Sequence, residues 1–259
     1  VTRSTFRDHA WQLVHEPPQS PALHMALDDA LLDEVSAGRR GPTLRIWEWA
    51  SPAVVIGRFQ SLRNEVDMEA ARRHGIEVVR RISGGGAMFI EPGNTITWSV
   101  FAPIDMVEGL GFEQAYALMD EWVLQALGEL GVQAWYQPLN DIASPAGKIA
   151  GAAQARRGRA VLHHVTMAYD IDAAKMLEVL RIGREKLCDK GTPSAAKRVD
   201  PLRSQTGLAR EAIIAAFVDT FRRRHGGLAA DTLRAHELAR AQALALEKFS
   251  NPQWTALVP

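Results

Sequence analysis

Residues 140–169 read NDIASPAGKIAGAAQARRGRAVLHHVTMAY. The segments 140–142, 148–156 and 160–169 of this stretch predict a hairpin-rich sheet region. Immediately upstream, Phe112, Ala115, Tyr116, Met119, Val123, Ala126 and Leu130 mark a long amphipathic helix closed by Gly131, and 132–136 reads as a strand. Further out, residues 95–102 alternate and are rich in β-formers. Strand-like runs occupy 44–49, 53–57 and 76–82, with Ser51-Pro52 as a break and a short helix over 66–74. Ser20 and Pro21 look like an N-cap and first helical position, ahead of Leu23, Ala26, Leu27, Ala30, Leu31 and Val35, with Gly38 as terminator. Downstream, 181–204 is polar, holds Pro193 and Pro201, and reads as a loop. Ile213, Ile214, Phe217 and Phe221 share a helical face, Arg222–Arg224 suit a helix C-terminus, and 233–249 is a last helix. Hairpins and helices without regular βαβ alternation predict an α+β domain around a mixed sheet.

The bulk composition narrows the classes. At 259 residues and 47% hydrophobic, the chain suits one large domain with a substantial core. Thirty Lys plus Arg balance thirty Asp plus Glu, so no basic excess favours nucleic acid. Cys188 is the single cysteine, which rules out an internal disulfide framework and a cysteine-rich metal site. Residues 1–16 lack a signal-like apolar core and no run reaches membrane-spanning length. The expected location is the cytoplasm.

Two stretches could carry chemistry. In Arg80-Arg81-Ile82-Ser83-Gly84-Gly85-Gly86-Ala87 the glycines permit positive φ and close approach of backbone to a ligand, and their N–H groups can form an anion nest. Adjacent strand residues face opposite ways, so at most one of the two arginines serves such a ligand directly. The stretch fits neither a Walker loop nor a dinucleotide fingerprint. The second stretch is Asn140-Asp141 with Gly147-Lys148-Ile149-Ala150-Gly151-Ala152-Ala153-Gln154. A lysine among small residues can hold its ammonium between a carboxylate and a phosphate. Asp141 could bind Mg²⁺, and a hairpin lysine in water is the plain alternative for Lys148. His163 and His164 face opposite sides, so they do not form a two-ligand metal site. One of them would line a pocket. Cys188 lies between Lys186 and Lys190, yet no nearby base supports a nucleophile there. Gly38-Arg39-Arg40-Gly41 reads as a turn.

Taken in order, these blocks resemble the lipoate–protein ligase A family. They are residues 54–60; Arg80 to Ala87 with Gly93-Asn94-Thr95; Asn140-Asp141-Ile142 with Gly147 to Gln154; His163-His164-Val165-Thr166-Met167; Lys186-Leu187 to Arg198-Val199; and Phe249-Ser250 with Trp254. The resemblance spans about 11–255 and implies the fold of biotin ligases and class II aminoacyl-tRNA synthetases. It implies a single catalytic domain over 1–259, without the C-terminal accessory domain of two-domain ligases. It also implies that ATP and lipoate give lipoyl-AMP, whose acyl group passes to a lysine of a lipoyl carrier such as an E2 domain or a glycine-cleavage H protein. Lys148 would hold the carboxyl oxygen and α-phosphate. Arg81, Ser83, Gly84, Gly85, Gly86, Ala87, Met88 and Phe89 would contact nucleotide and acyl chain, with Gly151, His164 and Thr166 beside them. Asn140 and Asp141 would lie on the adenine or metal side, with Mg²⁺ at Asp141. The 186–199 block would be an adenylate-binding loop. Val55, Ile56, Trp98 or Val100 would line an acyl slot, and Arg156, Arg157 and Arg159 would dock an acidic carrier.

The family's histidine is Ile90 here, its aspartate Glu91, and the glycine of its His-His-Gly-Thr strand Val165. The expected lack of the accessory domain makes a separate accessory protein an expected partner for the activation step; nucleic acid and membrane are not expected partners. Two other readings stand beside this one. A cysteine-dependent octanoyltransferase of the same fold would act without ATP, but residues 140–147 contain no cysteine. A non-catalytic carrier-binding subunit would bind without transferring.

Overall fold

The computed structural model describes residues 3–181 and 199–259. The chain runs through β1 (Gln12–His15), α1 (Pro21–Ser36), β2 (Thr43–Trp47), β3 (Ala53–Ile56), α2 (Leu62–Glu65), α3 (Met68–Arg73), β4 (Glu77–Arg80), β5 (Met88–Ile90) and β6 (Thr95–Pro103). It continues through α4 (Phe112–Glu129), β7 (Trp135–Gln137), β8 (Asp141–Ser144), β9 (Gly147–Arg157), β10 (Ala160–Ala168), α5 (Ala173–Val179) and α6 (Leu202–Thr206). Last come α7 (Arg210–His225), β11 (Ala229–Asp231), α8 (Ala235–Leu244), a π-helical turn at Ala245–Phe249 and α9 (Pro252–Thr255). The large sheet has the order β11-β1-β2-β6-β10-β9-β8-β7, and a small sheet has the order β4-β3-β5. Parallel pairing at β11-β1-β2 meets antiparallel pairing from β2 to β7, so the sheet is mixed, and the domain is α+β.

One face of the large sheet packs on α4 and α7. There Trp98, Val100, Val161, Val165 and Met167 meet Met119, Trp122, Val123, Ile213, Phe217 and Phe221. The other face carries α1, which is buried along nearly its whole length. Met25, Leu27 and Ala30 of this helix join Val55 and Val79 of the small sheet and Ala241 and Leu244 of α8. A helix between two sheets has little solvent face, so α1 shows weak amphipathicity in sequence yet starts where its chemistry dictates. The Ser20 hydroxyl accepts from the Leu23 N–H at 3.3 Å ahead of Pro21.

Several expected elements differ. The helix over 66–74 shortens to Met68–Arg73, because Asp67 caps α3 by accepting from Ala70 N–H at 3.0 Å. The strand over 76–82 ends at Arg80, where the chain turns into the glycine loop. Helix α8 begins at Ala235, capped by Glu237 accepting from Arg234 N–H at 2.8 Å. The short strands β1, β5 and β11 and helix α5 carry too few residues to show a period.

Arg80 and Arg81 leave the end of β4 in different directions. Arg80 is fully buried and donates to the carbonyls of Gly57, Arg58, Gln60, Trp254, Thr255 and Val258. The Trp254 indole N–H returns a bond to Arg80 O at 2.9 Å. This guanidinium ties the 57–60 turn to the chain's last segment. Arg80→Ala strips donors from several carbonyls at once, so it should destabilise the fold by roughly 3 kcal/mol in urea unfolding. An unchanged midpoint would show those carbonyls solvated by other means.

Candidate active site

Strand register builds the floor of the site. Trp47, Thr97, Thr166, Gly151 and Asp141 are directly opposed in one row across five strands; Arg45, Ser99, His164 and Ala153 form the next. Opposed residues project from the same face, here the face that carries α1. Above this floor lies a cavity of about 600 Å³. Its wall includes Arg81, Gly85, Gly86, Ala87, Met88 and Phe89 from the glycine loop and β5. It also includes Asn140, Asp141, Lys148, Gly151, His164 and Thr166 from the large sheet. Of the expected site residues, Ser83 and Gly84 stand behind this wall.

Lys148 reaches the cavity because of a bulge. The register between β8 and β9 slips between Ile142 and Ala143, so Ile149 is an extra residue on β9. Ile149 and Ala150 consequently both enter the core under α4, and the alternation reverses at Lys148. The ammonium forms an ion pair with Asp141 Oδ1 at 2.8 Å. The side chain lies across Gly151, where a Cβ would come within 2.8 Å of Nζ. Asn140 fixes the neighbouring backbone, donating to Ala152 O at 2.6 Å and accepting Ala152 N–H through its own carbonyl at 2.8 Å.

The glycine loop is held from beneath by Arg81. Its guanidinium donates to Gly84 O, to Gly86 O at 2.9 Å, to Val55 O at 3.3 Å and to Ser83 Oγ at 3.1 Å. Burial pulls its pKa down to about 10, so it stays charged at neutral pH. Gly85 adopts φ +86°. The loop packs so closely on β3 that a Cβ on Gly57 would meet Gly85 O at 2.2 Å.

His164 lines the cavity. One ring nitrogen lies 2.5 Å from Ser83 Oγ and the other 2.7 Å from Asp28 of α1. His163 turns the other way, 2.8 Å from Asp120 of α4 and 3.1 Å from the Gln154 side chain. The pair is therefore no metal site. Among the described residues the cluster with metal-ligand spacing is Glu34, His236 and Glu237, and Arg39 and Arg40 already hold its carboxylates. Asp141 is a single carboxylate. It fits Mg²⁺ only with further oxygens, such as those of a phosphate.

The expected acyl slot needs correction. Val55 lines the cavity, but Ile56 faces the far side of the small sheet, and Trp98 and Val100 face α4 and α7. The apolar lining is instead Met25, Trp47, Val55, Met88, Met176 and Leu180. The three arginines also make contacts within the chain, with Arg156 and Arg159 exposed: Arg157 pairs with Asp29 and Asp33, Arg156 donates to Leu110 O and stacks on Phe112, and Arg159 donates to Ser36 O. Ile90 is buried in the α1 cluster, while Glu91 pairs with Lys175 at 2.6 Å at the cavity edge. Cys188 and the block from 186 lie outside the described residues up to Val199, which lines the cavity. Tyr116 is a wall residue that periodicity assigned to the core. Its hydroxyl accepts Gln154 N–H at 3.1 Å, and burial raises its pKa.

A family model of the lipoyl protein ligase A/B catalytic domain matches residues 20–223. The chain belongs to this family. The expected mixed sheet flanked by helices is the fold this chain adopts. Among family relatives, an octanoyltransferase LipM of Lysinibacillus sphaericus is 29% identical over 94% of the chain and 98% of its own length. The lipoate-protein ligase A subunit 1 of Thermoplasma acidophilum is 30% identical over 93% and 94%. A solved archaeal bi-partite lipoate protein ligase from that organism, described with its E2 lipoyl domain, superposes with TM-score 0.81 at 26% identity over 97% of both chains. A T. acidophilum protein with bound lipoic acid gives 0.79 at 25%, over 96% of this chain and 99% of that one. A lipoate-protein ligase A bound with ATP gives 0.81 at 26%, over 97% and 99%. No helix of the described residues is long and apolar enough to cross a membrane.

Proposed function

We propose that this family member activates lipoate with ATP and transfers the lipoyl group to a lysine of a lipoyl carrier protein in the cytoplasm, with a separate accessory subunit assisting activation. The observation that carries the reading is the convergence of the Lys148 ammonium and the glycine loop on one cavity that also has an apolar lining. A carboxylate oxygen attacks the α-phosphorus of ATP, the bond to the β-phosphate breaks and pyrophosphate leaves. The carrier amine then attacks the acyl carbonyl, and AMP leaves as the amine loses its proton. Lys148 offsets negative charge on both the carboxyl oxygen and the α-phosphate. The glycine loop N–H groups bind phosphate oxygens, and Met25, Trp47 and Met176 receive the acyl chain. Asp141 would hold Mg²⁺, and the metal would supply charge neutralisation there. The bi-partite ligase and its subunit-1 relative support the accessory partner and an E2-type carrier.

A second reading, acyl transfer from a carrier thioester without ATP, is favoured by the octanoyltransferase names of full-length relatives. A mass-shift assay on an apo lipoyl carrier separates the two. Synthetic lipoyl-AMP should modify the carrier, and lipoate with ATP should do so once an accessory subunit is added. Modification by octanoyl carrier protein without ATP, and none from lipoyl-AMP, would overturn the ligase reading.

A further inference from the structure

Ser83, His164 and Asp28 stand in line with the spacing of a serine nucleophile, its base and the base's orienter. Burial argues against that chemistry. Ser83 is 2% exposed and stands behind the cavity wall, and Arg81 Nε–H already donates to its oxygen. The line continues inward instead. Asp28 Oδ1 accepts from Ser99 Oγ at 2.9 Å and from Arg45 at 3.3 Å, and Arg45 donates to His24 Nδ1 at 2.6 Å.

A carboxylate only accepts, so His164 Nδ1 must carry the proton facing Asp28. Burial keeps the ring neutral by lowering its pKa. Its Nε2 is then a bare acceptor, which takes the Ser83 hydroxyl proton and leaves the Ser83 lone pairs to Arg81. No donor on the line then lacks an acceptor, and Arg81 is aimed at the carbonyls of Gly84 and Gly86, its Nε–H shared between Ser83 Oγ and Gly84 O.

We infer that Asp28, a residue of α1 outside the cavity wall, is a positioning residue that shapes the glycine loop by fixing the His164 tautomer. An amide at position 28 breaks the line either way it is turned. Its NH₂ facing His164 demands a bare Nδ1 and a protonated Nε2, which leaves two donors on Ser83 and its own proton without an acceptor. Its NH₂ facing inward would keep the tautomer but set donor against donor at the Arg45 guanidinium and the Ser99 hydroxyl, so the first orientation is favoured.

The inference uses the proposed ligase reading for its activity readout alone, so two further readouts need no turnover. Histidine-¹⁵N correlation spectra of the full chain report which ring nitrogen is protonated, with His164 assigned by its loss in His164→Gln. Deuterium uptake of the 83–88 segment reports the loop. The wild type should show the Nδ1–H form at His164. Asp28→Asn should move the proton to Nε2, speed uptake in 83–88 and raise KM for lipoate roughly 10- to 100-fold with a smaller change in kcat. Ser83→Ala should keep the Nδ1–H form yet show the same uptake and KM changes, and it decides the matter if Asp28→Asn does not fold. An Nε2–H wild type, or wild-type uptake in Ser83→Ala, would overturn the inference. So would a stable acyl ester on Ser83. Should the wild type neither bind lipoate nor acylate a carrier, the ligase reading falls, and the tautomer and uptake still decide the relay.

Discussion

Lys148→Ala should lower the rate of carrier acylation from lipoyl-AMP by roughly 10²- to 10³-fold, the usual loss when a preorganised electrostatic group is removed from a reacting centre. The ammonium is positioned before any ligand arrives. The bulge at Ile149 turns it to the cavity, Gly151 leaves room for it, and Asp141 holds it at 2.8 Å. Its side chain is about one-third exposed, so loss of the ion pair should cost only about 1 kcal/mol of stability. Activity and stability therefore separate cleanly in this variant. Lys148→Arg should not restore the rate, because a planar fork cannot occupy the slot across Gly151 that a thin alkyl stem fills. Single-turnover acylation measured by mass, beside thermal unfolding of each variant, provides the check. Wild-type turnover in Lys148→Ala would remove the role assigned to this lysine.

Much of this site is legible along the chain, and what is hidden has identifiable causes. The hairpins of β8–β10 and the start of α1 follow from local patterns, since β-formers and caps act within a few residues. The row that joins Thr166 to Gly151 and Asp141 follows once those hairpins are in register. The direction of Lys148 does not follow. Strict alternation would group it with Ala150 and Ala152 under α4, and only the bulge sends it to the other face. A nine-residue strand such as β6 shows that its two faces differ, but not which face meets helices and which meets ligand. For that reason Trp98 reads as an acyl-slot residue when Thr97 holds the place. Asp28 is harder still: a helical aspartate reads as solvent-facing until strands more than seventy residues away supply Ser99 and His164 as its partners. The ion pairs of Arg157 are hidden in the same way, since its partners Asp29 and Asp33 belong to α1, far back along the chain.

Two glycines that border the site should fail in opposite ways. A methyl group at Gly151 would meet Lys148 Nζ at 2.8 Å and Cε at 3.1 Å, both near the free end of a flexible side chain. The lysine can swing aside, so Gly151→Ala should unfold within about 1 kcal/mol of wild type yet lose most of the activity that Lys148 supplies. A methyl group at Gly57 would meet the carbonyl oxygen of Gly85 at 2.2 Å, backbone against backbone. Neither strand β3 nor the Arg81-pinned loop can yield locally, so Gly57→Ala should cost about 2–3 kcal/mol and shift the loop itself. Urea unfolding and lipoate titration distinguish these outcomes, the first variant keeping its midpoint and the second losing both stability and affinity. The cause in Gly151→Ala can be isolated further. If the methyl acts only by displacing the ammonium, combining it with Lys148→Ala should slow acylation no more than Lys148→Ala does. A further fall in the double variant would show that the bare Cα at 151 also touches the substrate.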